Sequence, residues 1–162
     1  MDNQEQEQIH QILNSAYFYL KFRPRTEKEV RDYLLKKSEK RHWSSDAIEK
    51  AVSSLKENDF VNDNDFVEWF VHQRISGKPK SAFALHHELQ KLGVEKDIIT
   101  AFFGENPLNE EQLAYDTLKR KWSRFKNFDK KERFKKTVAF LANRGFNFAI
   151  IKSTFEKLEN NE

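Results

Sequence analysis

Apolar residues recur along this chain with the spacing of a helix face. Ile9, Ile12, Leu13, Ala16, Tyr17 and Leu20 follow an i, i+3, i+4, i+7 pattern, and so do Ala47, Ile48, Ala51, Val52 and Leu55. Leu113, Ala114, Thr117, Leu118, Trp122 and Phe125 repeat it on a longer, strongly basic stretch. No run alternates apolar and polar residues as a half-buried strand would. The pattern predicts an all-α protein.

The helices repeat as a group. The segments WSSDAIEKAV, VEKDIITAFF and FNFAIIKSTF each open on a large apolar residue (Trp43, Val94, Phe146) and carry isoleucine five positions later (Ile48, Ile99, Ile151). That is the N′ to N4 spacing of a hydrophobic staple, with Ser44 and Asn147 as N-caps in the outer copies. The copies are offset by 51 and 52 residues. Upstream of each staple lies a second amphipathic helix, marked by Val30 and Leu34, by Leu85 and Leu89, and by Val138 and Leu141. Gly93 and Gly145 end it in the second and third copies, as residues free to take positive φ; the first copy has a longer polar connection, LLKKSEKRHW, instead. A first helix precedes each, over roughly 9–22, 64–76 and 110–126.

The expected organisation is a polar N-terminal tail (residues 1–8) followed by three tandem three-helix repeats over about 9–61, 63–106 and 109–159, stacked into an elongated, curved array. The alternative is one irregular globule of nine helices.

Composition fits this picture. The 162 residues include 15 Phe, 4 Tyr and 3 Trp, enough large side chains for several small cores, but only 4 Gly and 3 Pro, too few for a turn-rich β fold. There is no cysteine, which excludes a disulfide framework and a thiolate metal site and suits a reducing compartment. The polar, acidic start MDNQEQEQIH is no secretory signal, and no apolar run approaches the roughly 20 residues of a membrane span. A soluble, cytoplasmic monomer is expected.

Charge is unevenly distributed. The overall net charge is +3, yet TLKRKWSRFKNFDKKERFKK (117–136) holds ten Lys or Arg against Asp129 and Glu132. Such asymmetry points to a basic face for an acidic partner. On the helix within it, Lys119, Arg120, Lys121, Arg124 and Lys126 are too many like charges at close helical spacing to serve solubility alone. Two shorter basic segments stand in equivalent places. Arg23 and Arg25 flank Pro24 before a capping box formed by Thr26 and Glu29; Lys78 and Lys80 flank Pro79 before the N-cap Ser81. A helix N-terminus already carries partial positive charge, so cations set against it imply an anion or acidic surface at that place. The bland reading of these residues is a solvated surface.

Other motifs resolve into structure. His86 and His87 are adjacent, so on a helix they point about 100° apart and cannot chelate one ion together. NDNDF (62–66) lacks the glycine and the distal glutamate of a calcium loop and reads as a turn in which Asn62 or Asp63 caps the next helix. GKPK (77–80) lacks the glycines of a phosphate loop. No nucleophile and base fall into a catalytic arrangement, so neither an enzyme site, a metal nor a cofactor is expected.

With the repeat in hand, RPRTEKEV, FVNDNDFVEWFVHQR, GKPKSAFALHHELQKLGV and FLANRGFNFAII together resemble the RecX family of bacterial recombination regulators over about residues 12–158. The family's Arg-Pro-Arg-[Ser/Thr]-Glu pattern matches Arg23 to Glu27, its aspartate-then-aromatic motif matches Asp63 and Phe66, and its closing Arg-Gly-Phe matches Arg144, Gly145 and Phe146. The glycine that commonly ends the second helix of repeat one is absent here, and some relatives carry more than three repeats. The resemblance implies tandem three-helix repeats, no catalysis, and binding to the RecA recombinase filament on DNA. It implies inhibition of the filament's ATPase and strand exchange, in recombination, DNA repair and the SOS response. The candidate filament- or DNA-binding residues are then Arg23, Arg25, Lys78, Lys80, Lys119, Arg120, Lys121, Arg124, Lys126 and Arg144. A helical module that binds DNA directly, independently of RecA, is the alternative.

Overall fold

The computed structural model describes residues 2–161. Among these the chain forms nine α-helices and no strand: α1 (Asn3–Leu20), α2 (Glu27–Arg41), α3 (Ser45–Glu57), α4 (Asp63–Ser76), α5 (Ala82–Lys91), α6 (Lys96–Glu105), α7 (Glu110–Phe125), α8 (Lys130–Ala142) and α9 (Phe148–Asn160). They follow one another as three tandem three-helix groups.

Polar side chains start these helices by accepting orphan N–H groups of the first turn. Thr26 and Glu29 form the full reciprocal capping box at α2. Ser44 accepts from Ala47, Ser81 from Ala84, Asn109 from Gln112 and Asn147 from Ile150, all at 2.9–3.1 Å. At α4 the cap is Asn62, whose Oδ1 takes the Asp65 N–H at 3.2 Å. Asp63 is thereby left for another partner.

The ends are equally local. Gly93 (φ 92°) and Gly145 (φ 85°) are left-handed. In each case the next residue donates to a carbonyl five back (Val94 to Leu89, 3.1 Å; Phe146 to Leu141, 3.2 Å), the Schellman arrangement. Where copy one lacks glycine, α2 does not stop early. The polar stretch that reads as a connection is two further helical turns, ended by His42 in the left-handed region (φ 57°). Asp59 (φ 59°) plays the same part after α3, with Phe60 donating to Leu55 at 2.9 Å.

The N-terminus differs from the sequence expectation. The polar segment expected as a tail is helical from Asn3: α1 begins there, capped by Asp2, ahead of the apolar period, and residue 1 lies outside the described residues. Tertiary contacts hold these polar turns. Lys50 pairs with Glu5 at 2.5 Å, and the Ser44 N–H donates to Gln8 at 3.0 Å.

The chain divides into two compact units. The first comprises the residues up to Trp69 with Leu89–Ile99, the second Phe70–Glu88 with the residues from Thr100 onward. The division passes through α4, α5 and α6, so the middle repeat contributes to both. In the first unit α1 packs along α3 and α2 closes over them, burying Ile12, Ala16, Val30, Leu34, Trp43, Ile48 and Leu55 in one cluster. In the second, α7, α8 and α9 bury Leu118, Trp122, Leu141, Phe146, Ile151 and Phe155 together. Both outer staples, Trp43 with Ile48 and Phe146 with Ile151, therefore sit inside cores, as their spacing predicts. Val94 and Ile99 are buried too.

Candidate functional site

The N-terminal ends of α2 and α5, where the sequence implies an anion, each hold one from the chain itself. The Glu27 N–H, first of α2, donates to Asp63 Oδ1 at 2.9 Å; the Ala82 N–H, first of α5, donates to Glu110 Oε1 at 2.7 Å. Asp63 and Glu110 are the first residues of α4 and α7. Each thus begins the first helix of the following repeat and answers the dipole of the preceding one.

A second contact accompanies each. The Thr26 hydroxyl donates to the Leu92 carbonyl at 2.5 Å, and the Ser81 N–H donates to the Arg144 carbonyl at 2.9 Å. The glycines that follow sit against the same helix starts. A Cβ on Gly93 would lie 2.3 Å from the Lys28 side chain, and one on Gly145 would lie 2.5 Å from Ser81 Oγ and 2.6 Å from Ala84 Cβ. These glycines are required both by positive φ and by the closeness of the joint.

The cations beside these joints divide into two kinds. Arg23 pairs with Glu29 at 2.5 Å and also donates to the Pro24 carbonyl, so local structure does use it, as a brace on the capping box. Lys80 pairs with Glu88, which also takes Arg74 at 3.0 Å. Burial pushes the Glu88 carboxyl up, but the bonds from Lys80 and Arg74 outweigh it and hold the group below its ordinary range. Asp63 goes the other way. Burial, reinforced by the Glu27 and Glu95 carboxylates, raises it despite the Glu27 N–H bond and the nearby Lys56.

Arg25 and Arg144 are held by rings. The Arg25 guanidinium lies 4.0 Å from the Tyr19 centroid, Tyr19 stacks on Tyr33 at 4.0 Å, and Lys37 stands 5.3 Å from the far ring. Arg144 lies 4.6 Å from the Phe140 centroid. In both arginines Nε is buried without an acceptor among the described residues. Lys78 is exposed.

On α7, Lys119, Arg120 and Arg124 are exposed and Lys121 is half-buried, while Trp122 and Phe125 turn inward to the core. Among the described residues, none of these four cations has a carboxylate within ion-pair distance. Lys126, just past the helix, is exposed as well. The start of α8 extends the surface with exposed Lys130, Lys131 and Lys135, and with Lys136 set 4.4 Å from the Phe128 ring. Arg133 is different: it pairs with Glu159 in a largely buried position. The second unit therefore holds Lys78, Lys80, Arg144 and the α7 cations, with Lys80 and Arg144 joined through Ser81; Arg23 and Arg25 belong to the first.

The helical period does not single out a cleft of about 510 Å³ in the first unit, lined by residues that include Lys21, Arg25, Asp59, Phe60, Phe66 and Trp69. The available signal is aromatic residues off the apolar stripe. Phe18, Phe22 and Phe60 are all more than half exposed, and Tyr17, which the helical period places inward, is 40% exposed. No three His, Asp or Glu converge among the described residues, and no helix there is long and apolar enough to cross a membrane.

Three family models match the chain in order: "RecX, first three-helix domain" over residues 13–55, "RecX, second three-helix domain" over 62–101 and "RecX, third three-helix domain" over 109–155. Relatives named "Regulatory protein RecX" include one from Oceanobacillus iheyensis, 27% identical over 160 residues, covering 98% of this chain and 57% of its own length. Another, from Chlorobium phaeobacteroides, is 32% identical over 128 residues, covering 79% of this chain and 83% of its own. The chain spans little more than half the length of several of these relatives, including one from Streptococcus thermophilus at 55%. Among solved structures, RecX from Lactobacillus salivarius superposes with a TM-score of 0.78 at 21% identity, over 94% of this chain and 97% of that one. A second, titled regulatory protein RecX, gives 0.74 at 18% identity over 92% of this chain and 73% of that one. At these identities the likeness is one of fold.

Proposed function

Because this chain belongs to the RecX family, we propose that it is a non-catalytic regulator of the RecA recombinase, which binds the RecA–DNA filament and inhibits its ATPase and strand exchange. In the cell it would act in the cytoplasm, on recombination and DNA repair. The observation that carries this reading is the unbalanced cationic surface of α7 and the start of α8, where Lys119, Arg120, Arg124, Lys130, Lys131 and Lys135 are exposed with no carboxylate partner among the described residues. Charges left unpaired on one surface create a field that a polyanionic filament answers. Arg23 and Lys80 enter the reading with less weight, since Glu29 and Glu88 already neutralise them.

The test compares binding to bare DNA with binding to RecA–DNA filaments across a salt series. Preference for filaments, together with inhibition of ATP hydrolysis, is the expected result. Equal affinity for bare DNA and filaments would instead favour direct DNA binding without RecA, the reading that the same basic surface also supports.

A further inference from the structure

The aromatic cleft of the first unit has a different chemistry from the α7–α8 surface. Phe60, 54% exposed and 4.9 Å from Tyr17, lines it together with Trp69, while Phe66, 1% exposed, lies beneath Arg23, whose guanidinium is 5.9 Å from that ring and which also lines the cleft. Phe18 near the end of α1 and Phe22 just past it, edge to face at 5.3 Å, are exposed as well. Single exposed rings are ordinary, but Phe60 and Trp69 in the cleft, with further exposed rings on the chain segment that leads into it, mark an interaction surface.

Its charge pattern selects the kind of partner. Among the described residues, Lys21 and Arg25 line the cleft without a carboxylate in ion-pair distance, and Asp59 and Asp65 line it without a cation. A polyphosphate laid here would meet two unneutralised carboxylates. A protein surface, with an apolar side chain flanked by charges of both signs, would satisfy all four groups. Arg25 is held in place by its stack on Tyr19, so binding it demands little additional ordering.

Building on the reading of the chain as a filament regulator, we infer that this cleft is a protein-docking site, whereas the α7–α8 cations face phosphate. The partner's apolar side chain packs against Phe60 and Trp69. Its acidic neighbour meets Lys21 or Arg25, and its basic neighbour meets Asp59 or Asp65.

Two substitutions in the full chain test this, Phe60→Ser and Asp65→Ala, each first checked for an unchanged melting temperature. Affinity for RecA–DNA filaments is expected to fall at least about tenfold for Phe60→Ser, the size of an aromatic anchor, and severalfold for Asp65→Ala. Affinity for a bare oligonucleotide should stay that of the parent in both. If bare-DNA binding instead falls with Phe60→Ser and rises with Asp65→Ala, the cleft binds nucleic acid and the inference is overturned. If the parent binds filaments and both variants bind equally well, the cleft is not the docking site, while the regulatory reading stands. A parent that does not bind filaments at all overturns both.

Discussion

Asp63 and Glu27 are joined by one hydrogen bond across 36 residues of sequence: the first N–H of α2 donates to the side chain of the first residue of α4, at 2.9 Å. Glu110 and Ala82 repeat the arrangement at 2.7 Å. One rule thus links each repeat to the next, with a carboxylate at the start of one helix satisfying the start of another.

Removing that acceptor should be felt. Asp63→Ala is expected to destabilise the fold by about 1–2 kcal/mol, the range for an N-terminal helix acceptor. Asp63→Asn keeps an oxygen there and removes the charge that burial disfavours. Because the folded-state pKa of Asp63 is raised, ionising it weakens the fold, so the parent loses stability relative to Asp63→Asn as pH rises through that folded value. Well below the unfolded value of about 3.9, where the carboxyl is protonated both folded and unfolded, this ionisation penalty disappears. Urea unfolding of the three proteins at several pH values measures it; an Asn variant less stable than the Ala variant at neutral pH would contradict the assignment.

Glu88 should show the opposite sign. Its folded pKa is lowered by Lys80 and Arg74, so its stabilisation is fully present above the unfolded value near 4.3 and is lost as pH falls through the folded one. Glu88→Gln is expected to cost on the order of 1 kcal/mol at neutral pH, a figure reduced by the partial exposure of the three groups. The deficit should vanish in acid. A loss independent of pH would mean that packing, not the ion pairs, is responsible.

Gly145 and His42 test the left-handed helix ends in opposite directions. Gly145→Val meets both an unfavourable φ and a Cβ clash with Ser81 and Ala84, so its cost should exceed the roughly 1 kcal/mol expected from backbone conformation alone. His42→Gly relieves a strained φ of 57° at an exposed position, and should raise the melting temperature slightly or leave it unchanged. Equal stability of Gly145→Val and the parent would show that the joint at Ser81 is not close-packed.

The α7 charges are predicted to act on binding and not on folding. Arg120→Glu combined with Arg124→Glu should leave thermal unfolding nearly unaltered, because both side chains are exposed and unpaired among the described residues. Bare-DNA affinity should fall by at least an order of magnitude at low salt, and the dependence of log affinity on log salt should become shallower by about one unit for each phosphate no longer neutralised. Unchanged affinity and slope would return these residues to the solvated surface.

The helices and most caps are legible in the amino-acid sequence because these depend on neighbours within about five residues, and the threefold repeat is legible because the same short pattern recurs along the chain. Thr26 with Glu29, Trp43 with Ile48, and the positive φ of Gly93 and Gly145 are all of this kind. The same reading locates the basic residues and, through the resemblance, the family, but not the partners of individual charges. Nothing near Arg23 or Lys80 in sequence distinguishes a braced cation from a free one until helices bring Glu29 and Glu88 alongside. Folding in three dimensions was needed to make Asp63 and Glu110 the anions at the α2 and α5 starts, to hold polar residues 3–8 in a helix through Lys50 and Ser44, and to set Phe60 in the wall of a cleft. The physical reason is common to all three: the partners lie 28–45 residues apart in sequence, far beyond the reach of helical periodicity, and meet only once the repeats have folded together.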